Sequence, residues 1–257
     1  MQWTDQAAAF ADSYAHLCAH TAPDLLDTAR VTAGVRVLDV GTGTGTVAAL
    51  AVDRGARVAA VDAEPSMVEF TRSRLPAAEV RAGRLPELPY GDGSFDAVVA
   101  NFVINHVTDP ARAVAELARL AAPGGRVALT IWPRPAPPLQ QLWNDVLDAV
   151  GLPPAPPTVP AELNFPRTAE GVSQLLDRAG LTEIDGRVVT WSHRTDLESW
   201  WIGPVSGMGA LGEALTGRDA ATVAAARREY ERLAAPYIAA DGALALPTAA
   251  LLAYGVR

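Results

Sequence analysis

The sequence predicts an α/β protein built on a doubly wound, mostly parallel β-sheet. Three observations carry this prediction. Apolar strand-like runs alternate with helix-like segments through short connections. The run 95–101 is nearly all apolar, as expected for an interior parallel strand covered on both faces. A strand, a turn with three alternate glycines and a helix follow one another over 35–51, and the rest of the chain is placed relative to them.

Hydrophobic and charged periodicity predicts the elements in chain order. Apolar residues at spacings of three and four indicate a first helix over 3–20, and Thr21 with Pro23 marks the start of a second. Asp109 is the expected cap of a helix that begins at Pro110. The predicted elements are helices 3–20 and 23–31, strand 35–40, helix 46–51, strand 57–62, helix 64–75, strands 79–83 and 95–101, helix 110–121, strand 126–132, helices 139–150 and 168–179, strand 181–191, a mostly helical stretch 196–240 and a last strand 249–256.

Composition limits the classes of protein that this chain can form. Its 257 residues, 49% hydrophobic and 19% charged, suit one large α/β domain with an accessory lid or a small second domain. The formal net charge of −8 argues against a nucleic-acid-binding surface. All 21 basic residues are arginine, which excludes a Schiff-base lysine and the lysine of a phosphate-binding P-loop.

Cysteine, histidine and hydropathy give further expectations. Cys18 is the one cysteine, so no internal disulfide and no cysteine-based zinc cluster form. The four histidines are scattered, and we predict no metal. The first residues lack the pattern of a signal peptide, and no apolar run approaches the roughly 18 residues of a membrane span. We expect a cytoplasmic monomer or homodimer with no membrane and no nucleic-acid partner.

Four short stretches occur in order between residues 37 and 126. They are Val37–Gly45, Val61–Met67, Leu88–Asp96 and Ala122–Arg126. Together they resemble the class I S-adenosylmethionine-dependent methyltransferases, in the small-molecule branch called type 11 or UbiE-like. The resemblance covers residues 35–132 and implies a Rossmann-like sheet with S-adenosyl-L-methionine as cofactor. It also implies transfer of a methyl group to O, N or C of a small, fairly apolar acceptor.

The resemblance assigns residues to each part of the cofactor. Backbone amides of the glycine turn would meet its amino-acid end, and Asp39 would fix the turn or reach the methionine ammonium. Asp62, 21 residues after Gly41, would accept hydrogen bonds from both ribose hydroxyls. Related sequences often carry an aspartate at the adenine turn where this chain has Arg84, whose guanidinium has only donors. Backbone groups of Arg84 or Leu85 would then read the adenine, with the Arg84 side chain stacked on the ring or turned to solvent. The predicted cofactor-binding residues are Asp39, Gly41, Thr42, Gly43, Gly45, Asp62, Ala63, Met67, Arg84, Leu85 and Asn101.

Asn101 and His106 are the candidates at the end of the fourth strand. Asn101 either turns its backbone carbonyl to the cofactor or simply caps the strand. His106 is the candidate general base if the acceptor must lose a proton, because imidazole transfers protons near neutral pH; the alternative is a packing histidine. Acceptor-lining candidates come from the first helix and the late helical stretch, although aromatic residues there also suit an ordinary core. They are Tyr14, Trp200, Trp201 and Met208.

These assignments divide the chain into five parts. They are N-terminal lid helices 1–34, a cofactor-binding Rossmann-like core 35–132, a segment 133–194 of proline-rich connectors, helices and a sixth strand, a helical lid insert 195–240, and the final strand region 241–257.

Three other functions share much of this pattern. A methyltransferase fold could use the cofactor structurally while catalysing a cyclisation or isomerisation. A nicotinamide oxidoreductase would prefer a third glycine where this chain has Thr46. A binding module without activity would keep the same cofactor residues.

Overall fold

The computed structural model describes residues 6–154 and 156–257, so Trp3 of the predicted first helix lies outside the described residues. The chain forms two compact units. A core unit comprises Cys18–Arg134, Thr158–Val189 and Ala250–Arg257. A helical unit comprises, among the described residues only, those before Cys18 together with those of Pro135–Pro157 and Thr190–Ala249.

The structure contains the predicted alternation of strands and helices. In chain order the elements are α1 (Ala7–Asp12), α2 (Tyr14–Ala19), α3 (Ala22–Thr28), β1 (Arg36–Val40), α4 (Thr46–Asp53), β2 (Arg57–Asp62), α5 (Pro65–Arg74), β3 (Glu79–Ala82), β4 (Phe95–Asn101), α6 (Pro110–Leu120), β5 (Ala121–Ile131), α7 (Pro138–Ala149), α8 (Ala169–Arg178), β6 (Thr182–Thr195), α9 (Leu197–Val205), α10 (Gly209–Leu215), α11 (Ala220–Ala234) and β7 (Leu244–Val256). Short 3-10 turns lie at Ile104–His106, Ala161–Leu163 and Ala235–Tyr237.

The sheet of the core unit has the strand order β3-β2-β1-β4-β5-β7-β6. The pairs β1 with β2, β1 with β4, β2 with β3 and β4 with β5 are parallel. β7 pairs antiparallel with β5, with Arg126 opposite Val256. The predicted doubly wound, mostly parallel sheet with a C-terminal antiparallel strand is therefore confirmed. The strand order reverses between β1 and β4, and ligands of such sheets bind at this switch point, beyond the carboxyl ends of the strands.

Both faces of the sheet are buried, which explains its nearly continuous apolar strands. Successive residues of a strand point to opposite faces, so Leu38 joins one apolar cluster and Val37 the other. Side chains of α6 and α8 complete the first cluster, and those of α3, α4 and α5 complete the second. The Asp109 carboxylate caps α6 by accepting a hydrogen bond from the Arg112 N–H at 3.0 Å, as the sequence predicts.

Aromatic side chains form the centre of the helical unit. Trp200 of α9 lies edge-on to Tyr14, with ring centroids 5.2 Å apart, and 6.0 Å from Trp143 of α7. Tyr230 of α11 lies 5.1 Å from Trp143 and 5.4 Å from Trp201. We call these five residues the aromatic cluster. Their packing joins α2, α7, α9 and α11 in a unit that has little β-sheet of its own.

The N-terminal segment differs from its predicted form at Ser13. The expected helix over 3–20 is broken there, because the Ser13 hydroxyl donates to the Ala9 carbonyl at 2.6 Å and competes with helix continuation. α3 belongs to the core unit, and its Leu25 and Leu26 are fully buried in the second apolar cluster. The division of the chain into five parts, with lid helices over 1–34, stays a prediction.

No helix among the described residues combines the length and apolarity needed to cross a membrane.

Candidate active site

The turn between β1 and α4 requires glycine for two reasons, its backbone conformation and the limited space around it. Gly41, Gly43 and Gly45 have φ angles of +67°, +55° and +83°, a region that side chains disfavour. Space is also limited at two of the three positions. A Cβ atom on Gly41 would lie 2.4 Å from Val103 Cγ2, and one on Gly45 would lie 2.8 Å from Thr71 Cγ2. The turn is therefore packed between the segment that follows β4 and helix α5.

The Asp39 carboxylate holds this turn through two hydrogen bonds. Its Oδ2 accepts hydrogen bonds from the Thr42 hydroxyl at 2.7 Å and from the Ala48 N–H, in the first turn of α4, at 3.1 Å. The residue is only 1% exposed. Burial raises the pKa of Asp39 to about 7, although both hydrogen bonds oppose that shift. Of the two roles predicted for Asp39, the structure therefore provides the contacts that fix the turn.

Asp62 ends β2 and uses both carboxylate oxygens. Oδ2 accepts from the Gly43 N–H at 2.8 Å, and Oδ1 accepts from the Glu64 N–H at 2.9 Å. Burial raises the pKa of the Asp62 carboxyl, and the backbone hydrogen bonds oppose the shift. Each oxygen of an ionised carboxylate has a second lone pair. Asp62 thus connects the glycine turn to the start of α5 and retains acceptor capacity on both oxygens.

The predicted adenine turn follows β3 and lies beside Asp62. The Gly83 N–H donates to the Asp62 carbonyl at 2.9 Å. The Arg84 guanidinium lies 3.6 Å from the Glu64 carboxylate, and its side chain is 72% exposed. Leu85 is half-buried, whereas Met67 in the first turn of α5 is buried. The turn after β3 thus adjoins the end of β2, and the Arg84 side chain faces solvent. The roles of Arg84 and Leu85 toward an adenine stay predictions.

The side chain of Asn101 makes three hydrogen bonds within the protein at the end of β4. Its Oδ1 accepts from the hydroxyls of Thr21 at 2.8 Å and Thr130 at 2.6 Å. Its Nδ2 donates to the Cys18 carbonyl at 2.9 Å. These bonds fix the chain between α2 and α3 against the end of the strand. A role for the backbone carbonyl of Asn101 toward a cofactor stays a prediction.

Phe102 follows with an unusual backbone conformation. Its φ angle is +58°, which is rare for a bulky residue and persists only where neighbours enforce it. The Phe102 N–H donates to Thr130 Oγ1 at 2.9 Å, and its ring stacks on Trp132 with centroids 3.8 Å apart. The two rings lie where β4 and β5 end, beside the switch point.

His106 lies in the 3-10 turn that follows. The backbone N–H of His106 donates to the Val103 carbonyl at 2.8 Å. The neighbouring Asn105 Oδ1 accepts from the backbone N–H of Trp132 at 3.2 Å. Burial and the nearby charge of Arg167 lower the pKa of His106 to about 4. The imidazole is therefore neutral near pH 7 and weakly basic. Its role as a general base stays a prediction.

The four predicted acceptor-lining residues all lie in the helical unit. Trp200 is fully buried and Met208 is 1% exposed. Trp201 and Tyr14 belong with Trp200 to the aromatic cluster, and Gly203 allows the Tyr14 ring to lie close against α9. The structure places these residues in a packed core, and acceptor contact by any of them stays a prediction.

The structure adds residues that the sequence reading did not select. The Thr71 hydroxyl of α5 donates to the Gly43 carbonyl at 2.8 Å and so also fixes the turn. The one sequence feature that could have marked Thr71 is its hydroxyl group on an otherwise apolar helix face. Nothing in the sequence marks Phe102 for a positive φ angle, since glycine and asparagine are the usual occupants. Within the described ranges, no three His, Cys, Asp or Glu side chains converge into a metal-holding group.

The strand order, the glycine turn and the carboxylate at the end of β2 are the features that the resemblance implies. Residues 38–129 match the family model described as a methyltransferase domain. The resemblance seen in the four motifs is therefore confirmed over these residues.

Individual relatives agree with this match over part of their length. An uncharacterised methyltransferase of Mycobacterium tuberculosis is 42% identical over 110 residues, which are 43% of this chain and 44% of that protein. A demethylmenaquinone methyltransferase of Renibacterium salmoninarum is 36% identical over 111 residues, or 43% of this chain and 47% of the relative. The chain thus matches less than half the length of these curated relatives.

A solved structure matches over a longer span. The YcgJ protein of Bacillus subtilis superposes with a TM-score of 0.60 at 22% identity, covering 93% of this chain and 98% of that one. At this identity the likeness shows the fold alone.

The crowding at Gly41 leads to a first prediction. We expect Gly41→Ala to weaken binding of S-adenosylhomocysteine at least about tenfold in calorimetry, because the new Cβ displaces Val103 and shifts the turn. Gly34→Ala is the matched control. Gly34 also has a positive φ angle, of +83°, but its Cβ would meet nothing within 4 Å. Both variants should lose about 1–2 kcal/mol of stability because of the positive φ angle. Gly41→Ala should lose more than Gly34→Ala, because its Cβ also displaces Val103. Equal affinities in the two variants would contradict the proposed importance of the Val103 contact.

Burial of Asp39 leads to a second prediction, on pH. The folded protein holds a proton on Asp39 up to about pH 7, whereas the ordinary pKa is 3.8. Raising the pH through this window should therefore lower the unfolding free energy of the wild type relative to Asp39→Asn. The difference should grow between about pH 4 and about pH 7 and stay constant above that, in urea unfolding followed by circular dichroism. The exposed Asp53→Asn is the control and should follow the wild type. Parallel curves for all three proteins would show that Asp39 does not titrate in this window.

A third prediction concerns His106. Its pKa of about 4 implies an imidazole that stays neutral between about pH 5.5 and about pH 8. Its ring signals in nitrogen-15 NMR, assigned by their loss in His106→Gln, should not shift across this range. A titration midpoint at pH 6 or above would refute the dominant effect of burial.

Proposed function

We propose that the protein is an S-adenosylmethionine-dependent methyltransferase that acts on O, N or C of a small, fairly apolar molecule. One observation carries the proposal. Asp62 at the end of β2 binds the N–H of Gly43 in the glycine turn while keeping acceptor capacity on both oxygens. The methyltransferase match over residues 38–129 supports the same conclusion.

The residues present fit the cofactor in their donor and acceptor chemistry. The two spare lone pairs of Asp62 suit the adjacent hydroxyls of a ribose. N–H groups at the start of α4 suit the carboxylate of the amino-acid end, because the first N–H groups of a helix have no partner within it. Leu85 offers an apolar side chain and backbone groups to the adenine. Asp39 is already engaged by Thr42 and Ala48, so we assign it to holding the turn.

The cofactor would supply a methyl group already activated on a sulfonium, so alignment and exclusion of water are the main tasks of the protein. The Phe102 and Trp132 rings stand at the ends of β4 and β5 and offer an apolar surface to an acceptor. His106 lies on the same edge, neutral at physiological pH and able to accept a proton. The match with a demethylmenaquinone methyltransferase agrees with a small-molecule acceptor, and the net charge of −8 disfavours nucleic acid.

The cofactor assignment gives a fourth prediction. In calorimetry the wild type should bind S-adenosylhomocysteine, and Asp62→Ala should weaken that affinity by about 100-fold, because two hydrogen bonds to a charged acceptor are lost. Asp53→Ala, an exposed aspartate at the end of α4, is the control and should bind normally. Asp62→Asn keeps the side-chain shape but replaces one of the two acceptor oxygens by a donor, so it should also weaken binding.

Two outcomes would refute the assignment. One is no binding by the folded wild type, and the other is equal binding by the wild type and Asp62→Ala. Once an acceptor has been identified, a product heavier by one methyl group supports methyl transfer. An isomeric product of unchanged mass would instead indicate the cyclisation or isomerisation that the same cofactor residues allow.

A further inference from the structure

Two arginines meet beyond the carboxyl end of β5. The Arg134 N–H donates to the Arg167 carbonyl at 2.9 Å, which places the two residues side by side in the core unit. Arg167 is half-buried and Arg134 is exposed. Burial and the charge of Arg134 both lower the pKa of Arg167. Two like charges, one of them partly desolvated, are thus held together at this point.

Neither guanidinium has a carboxylate partner in the described part of the chain. The ion pairs found there do not include Arg134 or Arg167. Other partly buried arginines are neutralised: Arg54 pairs with Asp27, Arg119 with Glu116 and Asp92, and Arg227 with Glu198 and Glu231. Arg126 is buried without a carboxylate, but it donates to the Thr28 carbonyl at 2.8 Å and lies over the Tyr254 ring. Because a cation leaves water at a cost unless it is paired, the arginine pair differs from these arginines.

The arginine pair is connected to the candidate site through short contacts. Val103 borders Gly41 of the glycine turn. Two residues further on, Asn105 accepts a hydrogen bond from the Trp132 N–H, and Arg134 follows Trp132 by two residues. His106 lies close enough to Arg167 for its pKa to respond to that charge. The pair therefore lies on the β4 and β5 side of the switch point, beside the Phe102 and Trp132 rings.

We propose that Arg134 and Arg167 form an oxyanion subsite for the methyl acceptor, which carries a carboxylate or a phosphate beside its apolar body. The guanidinium fork binds either group through two parallel hydrogen bonds. The stacked rings would contact the apolar body while the pair binds the anion. This subsite deepens the proposed function and rests on it, because it assigns the arginines to the acceptor rather than to the cofactor.

The test uses the intact protein saturated with S-adenosylhomocysteine and four probes in calorimetry. Benzoate and phenyl phosphate carry the two candidate anions on an apolar ring, benzamide is the neutral counterpart of benzoate, and inorganic phosphate lacks the ring. We expect benzoate or phenyl phosphate to bind at least about tenfold more tightly than benzamide and inorganic phosphate. The preferred anion identifies the acceptor group as a carboxylate or a phosphate.

Variants identify the residues responsible. Arg167→Gln and Arg134→Gln should each weaken the preferred aryl anion at least about tenfold, and Arg167→Lys should retain part of the affinity, because charge remains but the fork is lost. Arg178→Gln, at the exposed end of α8, is the matched control and should bind as the wild type. Affinity for S-adenosylhomocysteine, measured separately, should stay unchanged in all four variants.

Three results would overturn the proposal. The first is benzamide binding as tightly as the aryl anions. The second is inorganic phosphate binding as tightly as phenyl phosphate, which would assign the pair to free phosphate. The third is a loss of S-adenosylhomocysteine affinity in the Arg134 and Arg167 variants, which would assign the pair to the cofactor. Failure of the wild type to bind S-adenosylhomocysteine at all would instead refute the proposed function.

Discussion

The buried carboxylate of Asp39 is the constraint on which the candidate site depends. One oxygen joins the end of β1 to the Thr42 hydroxyl and to the Ala48 N–H of α4, so strand, turn and helix hold one geometry. Burying an ionised carboxylate costs free energy, which is why burial raises the pKa of Asp39 to about 7. The two hydrogen-bond donors offset part of that free energy. The Thr42 N–H in turn donates to the Val61 carbonyl, so the turn also fixes the end of β2, where Asp62 follows.

Sequence reading succeeds where the physical signals are local. The strands of the sheet are apolar runs, the glycine turn is defined by residues that alone tolerate its φ angles, and Asp109 caps its helix through the residue three positions on. It fails where a contact joins distant positions. Asn101 accepts a hydrogen bond from Thr21, 80 residues away, and no periodicity in the sequence predicts that pair. Spacing likewise could not decide whether the tryptophans of α9 pack in a core or line a pocket, because both need the same apolar helix face.

Acidic and basic side chains lie on different sides of the switch point. On one side, the carboxyl group of Asp62 ends β2, and that of Asp39 lies buried one residue before the end of β1. Arginines stand on the other side, with Arg134 beyond β5 and Arg167 beside it. A cationic donor and an anionic acceptor would each meet the complementary side. Burial, together with the charge of the nearby Arg167, keeps the intervening His106 neutral.

The segment from Asn101 to His106 connects these two sides. Asn101 is fixed by side-chain bonds to the chain between α2 and α3, and Phe102 is held at a positive φ angle by Thr130 and by its stacking partner. That conformation turns the chain sharply, so that Val103 reaches Gly41 and His106 comes under the influence of Arg167. A backbone strained in this way persists only when its surroundings determine it. Phe102 therefore lies on the segment that joins the glycine turn, through Val103, to the arginine pair, through His106.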